Sequence, residues 1–421
     1  MRRLVLTWGA LLIVLAAGPA VAAAQPSGAQ RTLTSALNSG MGQIGGASSA
    51  YVVDMNTGQV LYSDAATVER LPASVEKIYT TSTALLRFGS HATLTTSVLG
   101  AGKLEGHGVW RGTLYLRGGG DPTFGSAGFD GAAYGTGATV QRLVANLRGA
   151  GIRSVNGRIV GDETYFDSLR GTPPTGFGVD LVDVAGQLSA LAFDRGFADF
   201  QGTVAQPRPA LYATQQFVSA LRAARIHVPA NTPVYAAPAP ATAERLVSVQ
   251  SPSIARLIQL TNTPSDNYLA EMLLKGLGAR FGGAGSTAAG AAVVHSELSG
   301  RFGIGPQLND GSGLSRSDYT SPRQVVTVLR QMYTNADFYN SLAIAGQTGT
   351  LQDYSHGTAA QGNCHGKTGT LSDVANLAGY CHARDGHTLV FAFLANGLGN
   401  TDYVHAVEAD KMAAALASYN G

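Results

Sequence analysis

Over Ala50 to Asp64 (AYVVDMNTGQVLYSD) apolar and polar positions alternate around Asn56-Thr57-Gly58, which predicts a β-hairpin. Before it, residues 25 to 46 are rich in Ala, Gly, Ser and Gln and predict a tail running into a short helix, TLTSALNSG, ended by Gly40. After it, LPASVEKIYTTSTALLRFG sets Ile78, Leu85 and Phe88 on one helical stripe with Gly89 beyond the last turn, so a helix is expected from near Ser74. From about Ser90 the texture changes to short strand-like runs, TTSVLG, GTLYLRGGGDP and VNGRIVGDETYFD, interrupted by the helical patterns ATVQRLVANLRGAG and ALYATQQFVSALRAARI. Proline is concentrated between Pro207 and Pro240, where APAPA reads as a linker or domain edge.

From Ser253 onward helical periodicity dominates, through SIARLIQLTN, NYLAEMLLKGLGARFG, AAGAAVVHSELSGRFG and SPRQVVTVLRQMY. Three strand-like stretches follow, HGKTGTL, NLAGYCHARDG and HTLVFAFLANG, and then a last helix, VHAVEADKMAAALASY. This order predicts an α/β fold in which residues 25–90 and 246–421 build one domain around an antiparallel sheet. Residues 91–245 are inserted into it as a mixed α+β accessory domain. The chain shows no internal repeat.

Charged residues make up 13% of the 421-residue chain, about half the usual ~25%, and 45% of it is hydrophobic, so a disordered polyelectrolyte is excluded. Basic residues never run beyond a dipeptide, and no nucleic-acid partner is expected. The 54 glycines lack a G-X-Y period and point to tight turns rather than to collagen. Met1-Arg2-Arg3, the apolar run Leu4 to Ala17 and the small residues of VAAAQ have the layout of a secretory signal over residues 1–24, cleaved near Ala24. The apolar run is short for an anchor and is followed by Pro19, so the expectation is an exported protein, peripheral to the membrane at most. The chain's 29 basic and 27 acidic side chains balance once Arg2 and Arg3 are removed, so long-range steering is not its main business. Export permits disulfides. Cys364 and Cys381 are the only cysteines, flanking two strand-like runs, and fit either a cross-strand bridge or two buried thiols.

Three short motifs carry candidate chemistry. Ser74-Val75-Glu76-Lys77 sets a hydroxyl and an amine three positions apart on one helical face, at the end where orphan N–H groups favour developing negative charge. Ser265-Asp266-Asn267 opens an apolar helix, and Lys367-Thr368-Gly369 lies in the first terminal strand, where a glycine marks close backbone approach. Alone, each also fits a plain structural role: a cap serine with a surface lysine, an N-cap, an edge-strand lysine. In this order they form the set shared by penicillin-binding proteins and class A β-lactamases.

With these motifs the chain resembles the D-alanyl-D-alanine carboxypeptidase/endopeptidases, low-molecular-mass class C penicillin-binding proteins. GGGDPTF (Gly118 to Phe124) and DGSGLSR (Asp310 to Arg316) look like signatures of the same family. The resemblance covers nearly the whole mature chain and implies a three-layer α/β/α transpeptidase-like domain. The stretch between the first two serines is shorter than in the largest members, which implies a reduced or absent second accessory subdomain.

The resemblance assigns Ser74 as nucleophile and implies an acyl-enzyme on peptidoglycan stem peptides, with β-lactams as covalent inhibitors. Lys77 is the available base, and to be neutral at pH 7 it must lose about three units from ~10.4 through burial or a second cation, for which Lys367 is the candidate. Ser265 would relay the proton to the leaving amine, and Asn267 would hold a substrate amide or Lys77. Lys367 and Thr368 would bind the terminal carboxylate beside Gly369, and the backbone N–H groups of Ser74 and Thr370 would hold the oxyanion. Asp162 and Arg316 are candidates for gripping the charged end of a diaminopimelate side chain.

His365, His382 and His387 cluster near the terminal strands without metal-ligand spacing, and Gly118-Gly119-Gly120 precedes Asp-Pro rather than a helix, so no metal and no cofactor is expected. Two rival readings remain. A β-lactamase needs a deacylating glutamate between the second and third motifs, where only Glu271 and Glu297 occur, both in helical patterns. A non-catalytic wall-binding protein would keep the fold without the chemistry.

Overall fold

The computed structural model describes residues 27–171 and 184–421. The expected signal segment, residues 1–24, lies outside them. The N-terminal part consists of α1 (Gly28–Ile44), β1 (Ala47–Asp54), β2 (Val60–Asp64), a 3₁₀ turn (Ala73–Glu76) and α2 (Lys77–Phe88). The inserted part holds β3 (Thr95–Glu105), β4 (Val109–Arg117), β5 (Phe124–Gly125), α3 (Ala127–Ala133), β6 (Ala138–Thr139), α4 (Val140–Gly149), β7 (Ser154–Asp162), α5 (Pro209–Ala223), β8 (Val234–Ala236) and β9 (Glu244–Gln250). The chain then returns through α6 (Ile254–Asn262), α7 (Asn267–Phe281), α8 (Thr287–Phe302), α9 (Pro322–Met332) and α10 (Ala336–Tyr339). It ends with β10 (Ala343–Ile344), β11 (Cys364–Leu371), β12 (Val374–His382), β13 (Thr388–Asn396) and α11 (Thr401–Ala406), which continues as a π-helical stretch (Val407–Ala413) into α12 (Ala414–Ala417).

The first sheet is antiparallel, in the order β10-β11-β12-β13-β1-β2, so the N-terminal hairpin completes a sheet begun by the C-terminal strands. Strand β13 reads as a continuous apolar run because both of its faces are covered. Leu389, Phe391 and Phe393 pack with Leu37, Val407 and Met412 on one side, and Val390 and Ala392 pack with Ile78, Leu257 and Val325 on the other. The result is three layers, α/β/α. Helix α1 does not stop at Gly40 as the sequence led us to expect. Gly40 is its contact point with the last helix, since a Cβ there would stand 2.5 Å from Met412 Cγ, and the helix runs on to Ile44.

The second sheet, β8-β7-β4-β3-β9, belongs to the insert and takes β9 to Gln250, past the 245 boundary read from the proline-rich stretch. Helices α4 and α5 cover one face through Leu143, Leu147, Phe217 and Leu221. A separate cluster, with Val184, Leu188 and Ala190 packed on Tyr268, Leu269 and Met272, ties the insert to α7.

Cys364 and Cys381 stand opposite each other in the β11–β12 register and are joined as a disulfide. Among the described residues, no helix is long and apolar enough to cross a membrane.

Candidate active site

Ser74 lies in the 3₁₀ turn, and the α-helix begins only at Lys77, later than the helical stripe implied. The tighter turn matters, because 3₁₀ geometry eclipses side chains at i and i+3. Lys77 Nζ donates to Ser74 Oγ at 2.8 Å. The turn is held against the sheet by residues that carry no motif. Asn376 Nδ2 donates to the carbonyls of Leu71 (3.0 Å) and Pro72 (2.7 Å), while Leu71 N donates to Asn396 Oδ1 at 2.8 Å. Ala73 is forced to φ +45°, a strained value for a residue with a Cβ. Gly369, paired with Asn376 across the β11–β12 ladder, has to be glycine: a Cβ would stand 2.6 Å from the Pro72 carbonyl oxygen.

The second motif enters from the start of α7. Asp266 is its N-cap, accepting from Leu269 N at 2.9 Å, and Ser265 sits in the left-handed region at φ +65°. Arg195, from the insert, grips both oxygens of Asp266 at 2.7 and 2.8 Å and lies over the Tyr268 ring. This turn thus has a bidentate clamp. Asn267 Oδ1 then accepts from Lys77 Nζ at 2.6 Å, and Lys367 Nζ donates to Ser265 Oγ at 2.8 Å and to its neighbour's Thr368 carbonyl at 2.8 Å.

The DGSGLSR loop supplies the third acceptor for Lys77, the Ser312 carbonyl at 2.7 Å. Asp310 shapes that loop by accepting from the backbone N–H groups of Ser312, Gly313 and Ser315. Gly313, at φ +82°, lets it lie against the nucleophile turn, where a Cβ would overlap the Ala73 carbonyl. Beneath the loop Glu76, Glu271, Asp310 and Asp318 are all buried. Burial, followed by Asp318 and Asp310, pushes Glu76 well above the usual carboxylate range, and burial followed by Asp310 pushes Asp318 up. One oxygen of each of Glu76, Asp310 and Asp318 falls within 4.8 Å of the others, which proton sharing makes tolerable.

Both lysines are fully buried. Burial lowers Lys77 to about 8, against the opposing pull of Asp310, Glu271, Asp266 and Glu76. Burial, and then the charge of Lys77, pushes Lys367 well below the usual lysine range, and its hydrogen bonds run to a hydroxyl and a carbonyl oxygen. Burial is thus the largest cause of the shift for both lysines.

Five of the expected residues come together as two hydrogen-bonded groups, Ser74–Lys77–Asn267 and Ser265–Lys367, with the charge of Lys77 acting on Lys367. Thr368 Oγ1 donates to Thr350 Oγ1 at 2.8 Å, and Thr370 Oγ1 is 2.7 Å from His405 Nε2. Arg316 stands at the β11–β12 turn, paired with Asp373 at 2.6 Å and with Ser372 Oγ at 2.7 Å. Asp162 is committed elsewhere. At the end of β7 it accepts from Thr164 and from Ala239 N and pairs with Arg117 at 3.5 Å, with its side chain buried. Asn376, Asn396, Asp310 and Arg195 escaped the sequence reading, although the DGSGLSR and SDN stretches pointed to where two of them act.

The family model for D-Ala-D-Ala carboxypeptidase 3 (S13) matches residues 29–177 and 176–419. The chain belongs to this family. It is a hydrolase of the D-Ala-D-Ala carboxypeptidase type, 29% identical to the D-alanyl-D-alanine carboxypeptidase of Actinomadura sp. (strain R39) over 90% of this chain and 82% of that one. It is 30% identical to carboxypeptidase DacB of Mycolicibacterium smegmatis over 83% of this chain and 76% of the relative. In fold it matches penicillin binding protein 4 (dacB) of Haemophilus influenzae with a TM-score of 0.70 at 21% identity, covering 86% of this chain and 94% of that one. The Haemophilus protein has also been solved with a β-lactam.

Proposed function

We propose that this S13 carboxypeptidase acts outside the cytoplasm on peptidoglycan stem peptides, attacking the D-Ala-D-Ala bond with Ser74 and passing through an acyl-enzyme. The contact that carries this reading is Lys77 Nζ at 2.8 Å from Ser74 Oγ, with Lys77 fully buried. A neutral Lys77 takes the Ser74 proton as the oxygen attacks the carbonyl of the penultimate D-alanine. The developing oxyanion is met by the backbone N–H groups of Ser74 and Thr370. Ser265, bridged to Lys367, gives its proton to the departing D-alanine amine as the C–N bond breaks and takes up the proton Lys77 had accepted, which leaves Lys77 neutral again. Water then hydrolyses the ester with Lys77 as base.

The substrate's own carboxylate completes the charge pattern. Lys367 has no carboxylate partner among the described residues, and burial pushes it well below the usual lysine range. A terminal carboxylate docked beside Lys367 and Thr368 stabilises a proton there, and by reciprocity that charge lowers Lys77 further. The base is thus discharged when substrate arrives. β-Lactams, carrying a carboxylate and a strained amide, would acylate Ser74 by the same route. The β-lactam complex of the Haemophilus relative supports this.

The β-lactamase reading loses its deacylating base. Glu271 is buried, held by Gly311 N at 2.9 Å and pushed up by burial and Asp310, so it keeps its proton. Glu297 pairs with Arg87 and Arg301. Incubation with purified pentapeptide and cross-linked muropeptides, followed by mass analysis, tests the proposal. Loss of the terminal D-alanine from the pentapeptide is expected. Unchanged products with both substrates would overturn it.

A further inference from the structure

A trough crosses the junction between the accessory sheet and the catalytic helices. Its two halves, about 460 and 390 Å³, share Thr95, Gly119 and Tyr165. Four exposed guanidinium groups border it: Arg87 of α2 and Arg280 of α7 on one half, Arg117 of β4 and Arg245 of β9 on the other. Among the described residues no carboxylate lines either half. Arg87 and Arg117 are each paired with one carboxylate, Glu297 at 3.4 Å and Asp162 at 3.5 Å, whereas Arg245 and Arg280 have no ion pair among the described residues. Arg87 and Arg280 both lie over the Phe281 ring, at 4.8 and 5.8 Å.

The GGGDPTF motif builds this junction. A Cβ on Gly118 would stand 2.0 Å from the Ala190 carbonyl oxygen, and one on Gly119 would stand 2.4 Å from that of Thr95. With Arg245 and Arg280 unpaired and no carboxylate in its lining among the described residues, the groove keeps a local positive potential that an anionic occupant relieves. The whole chain carries only +2, so this is a local feature.

Helices α2 and α7 start at the catalytic cluster with Lys77 and Asn267 and end at the trough with Arg87 and Arg280. At ~1.5 Å per residue the trough is roughly 20 Å from Ser74, beyond reach of the dipeptide being cut. Resting on the proposed function, we infer that the trough is an exosite for polymeric peptidoglycan. It would hold stem carboxylates on its arginines and sugar rings against Tyr165 and Phe281, on a part of the polymer other than the bond under attack.

The test is sedimentation of Ser74→Ala protein with sacculi stripped of phosphodiester polymers by hydrofluoric acid, with and without Arg245→Glu/Arg280→Glu. The paired charge reversal is expected to weaken binding by roughly tenfold or more, and added salt to weaken binding of the parent. In the Ser74 enzyme the same reversal is expected to slow D-alanine release from sacculi while leaving release from a short soluble peptide unchanged. Equal sedimentation with and without the reversal would overturn the exosite, as would binding that appears only on unstripped sacculi. Sedimentation requires no turnover, so its outcome is independent of whether the proposed reaction is correct.

Discussion

Lys77 and Asn267, 190 positions apart in sequence, meet at 2.6 Å. The amide oxygen takes one Lys77 proton, the Ser312 carbonyl takes another, and the remaining direction points at Ser74 Oγ. A neutral amine can keep all three contacts, donating to the two carbonyl oxygens and accepting from the Ser74 hydroxyl.

The pH dependence follows from the protonation of that amine. In the proposed reaction Lys77 works as the free base, and burial lowers it to about 8, so kcat/KM on a soluble D-Ala-D-Ala peptide should fall as pH drops through that value and level off above it. Lys77→Arg should remove activity at every pH in the range, because the guanidinium cannot lose its proton. A profile that is flat from pH 6 to 9 would contradict Lys77 as base.

Gly369→Ala should displace the nucleophile turn rather than unfold the sheet, because its Cβ meets backbone at Pro72 and not a side chain that can swing away. We expect kcat/KM to fall by about 10²-fold, the scale of an ~1 Å misplacement, with far-UV circular dichroism unchanged. Retention of full activity would mean that the strand and turn are farther apart than described.

Asp310→Ala leaves three loop N–H groups without their acceptor and releases the Ser312 carbonyl from its position over Lys77. The expected cost is about 3 kcal/mol of stability, with kcat reduced more than KM, read from urea unfolding and steady-state kinetics. Asp310→Asn, which keeps one acceptor oxygen, should recover part of both.

Reduction of the Cys364–Cys381 bridge frees a loop whose closure stabilises the fold by ~3 kcal/mol in the chain-entropy model. The double variant Cys364→Ser/Cys381→Ser should therefore unfold at lower urea, while its folded fraction keeps its turnover, because neither sulfur touches the catalytic cluster. Loss of turnover without loss of stability would place the bridge in the chemistry.

The layers were legible because pattern and burial agree. The apolar runs of β1 and β13 follow directly from covering on both faces of the sheet. Two of the three motifs sit at helix starts that local propensity marks, and the third lies within the strand-like run of β11. What stayed hidden depends on long-range polar contacts. Asn376 and Asn396 look like ordinary strand residues until the chain has folded, and only then do they hold Leu71 and Pro72. The 3₁₀ start of the nucleophile helix follows from that anchoring and not from the propensities of Ala73 to Glu76. The family resemblance made Asp162 a candidate recognition carboxylate, while its turn-like GDE setting also fits a structural role; in the fold it accepts from Thr164 and Ala239 and pairs with Arg117. Helix α1 passed its glycine because the last helix needed the space.

The most direct test of the central claim is intact-protein mass after brief exposure to benzylpenicillin, followed by peptide mapping. A single penicilloyl adduct on the peptide containing Ser74, absent from Ser74→Ala, is the expected result. An adduct that persists in Ser74→Ala, or that maps to another residue, would contradict it.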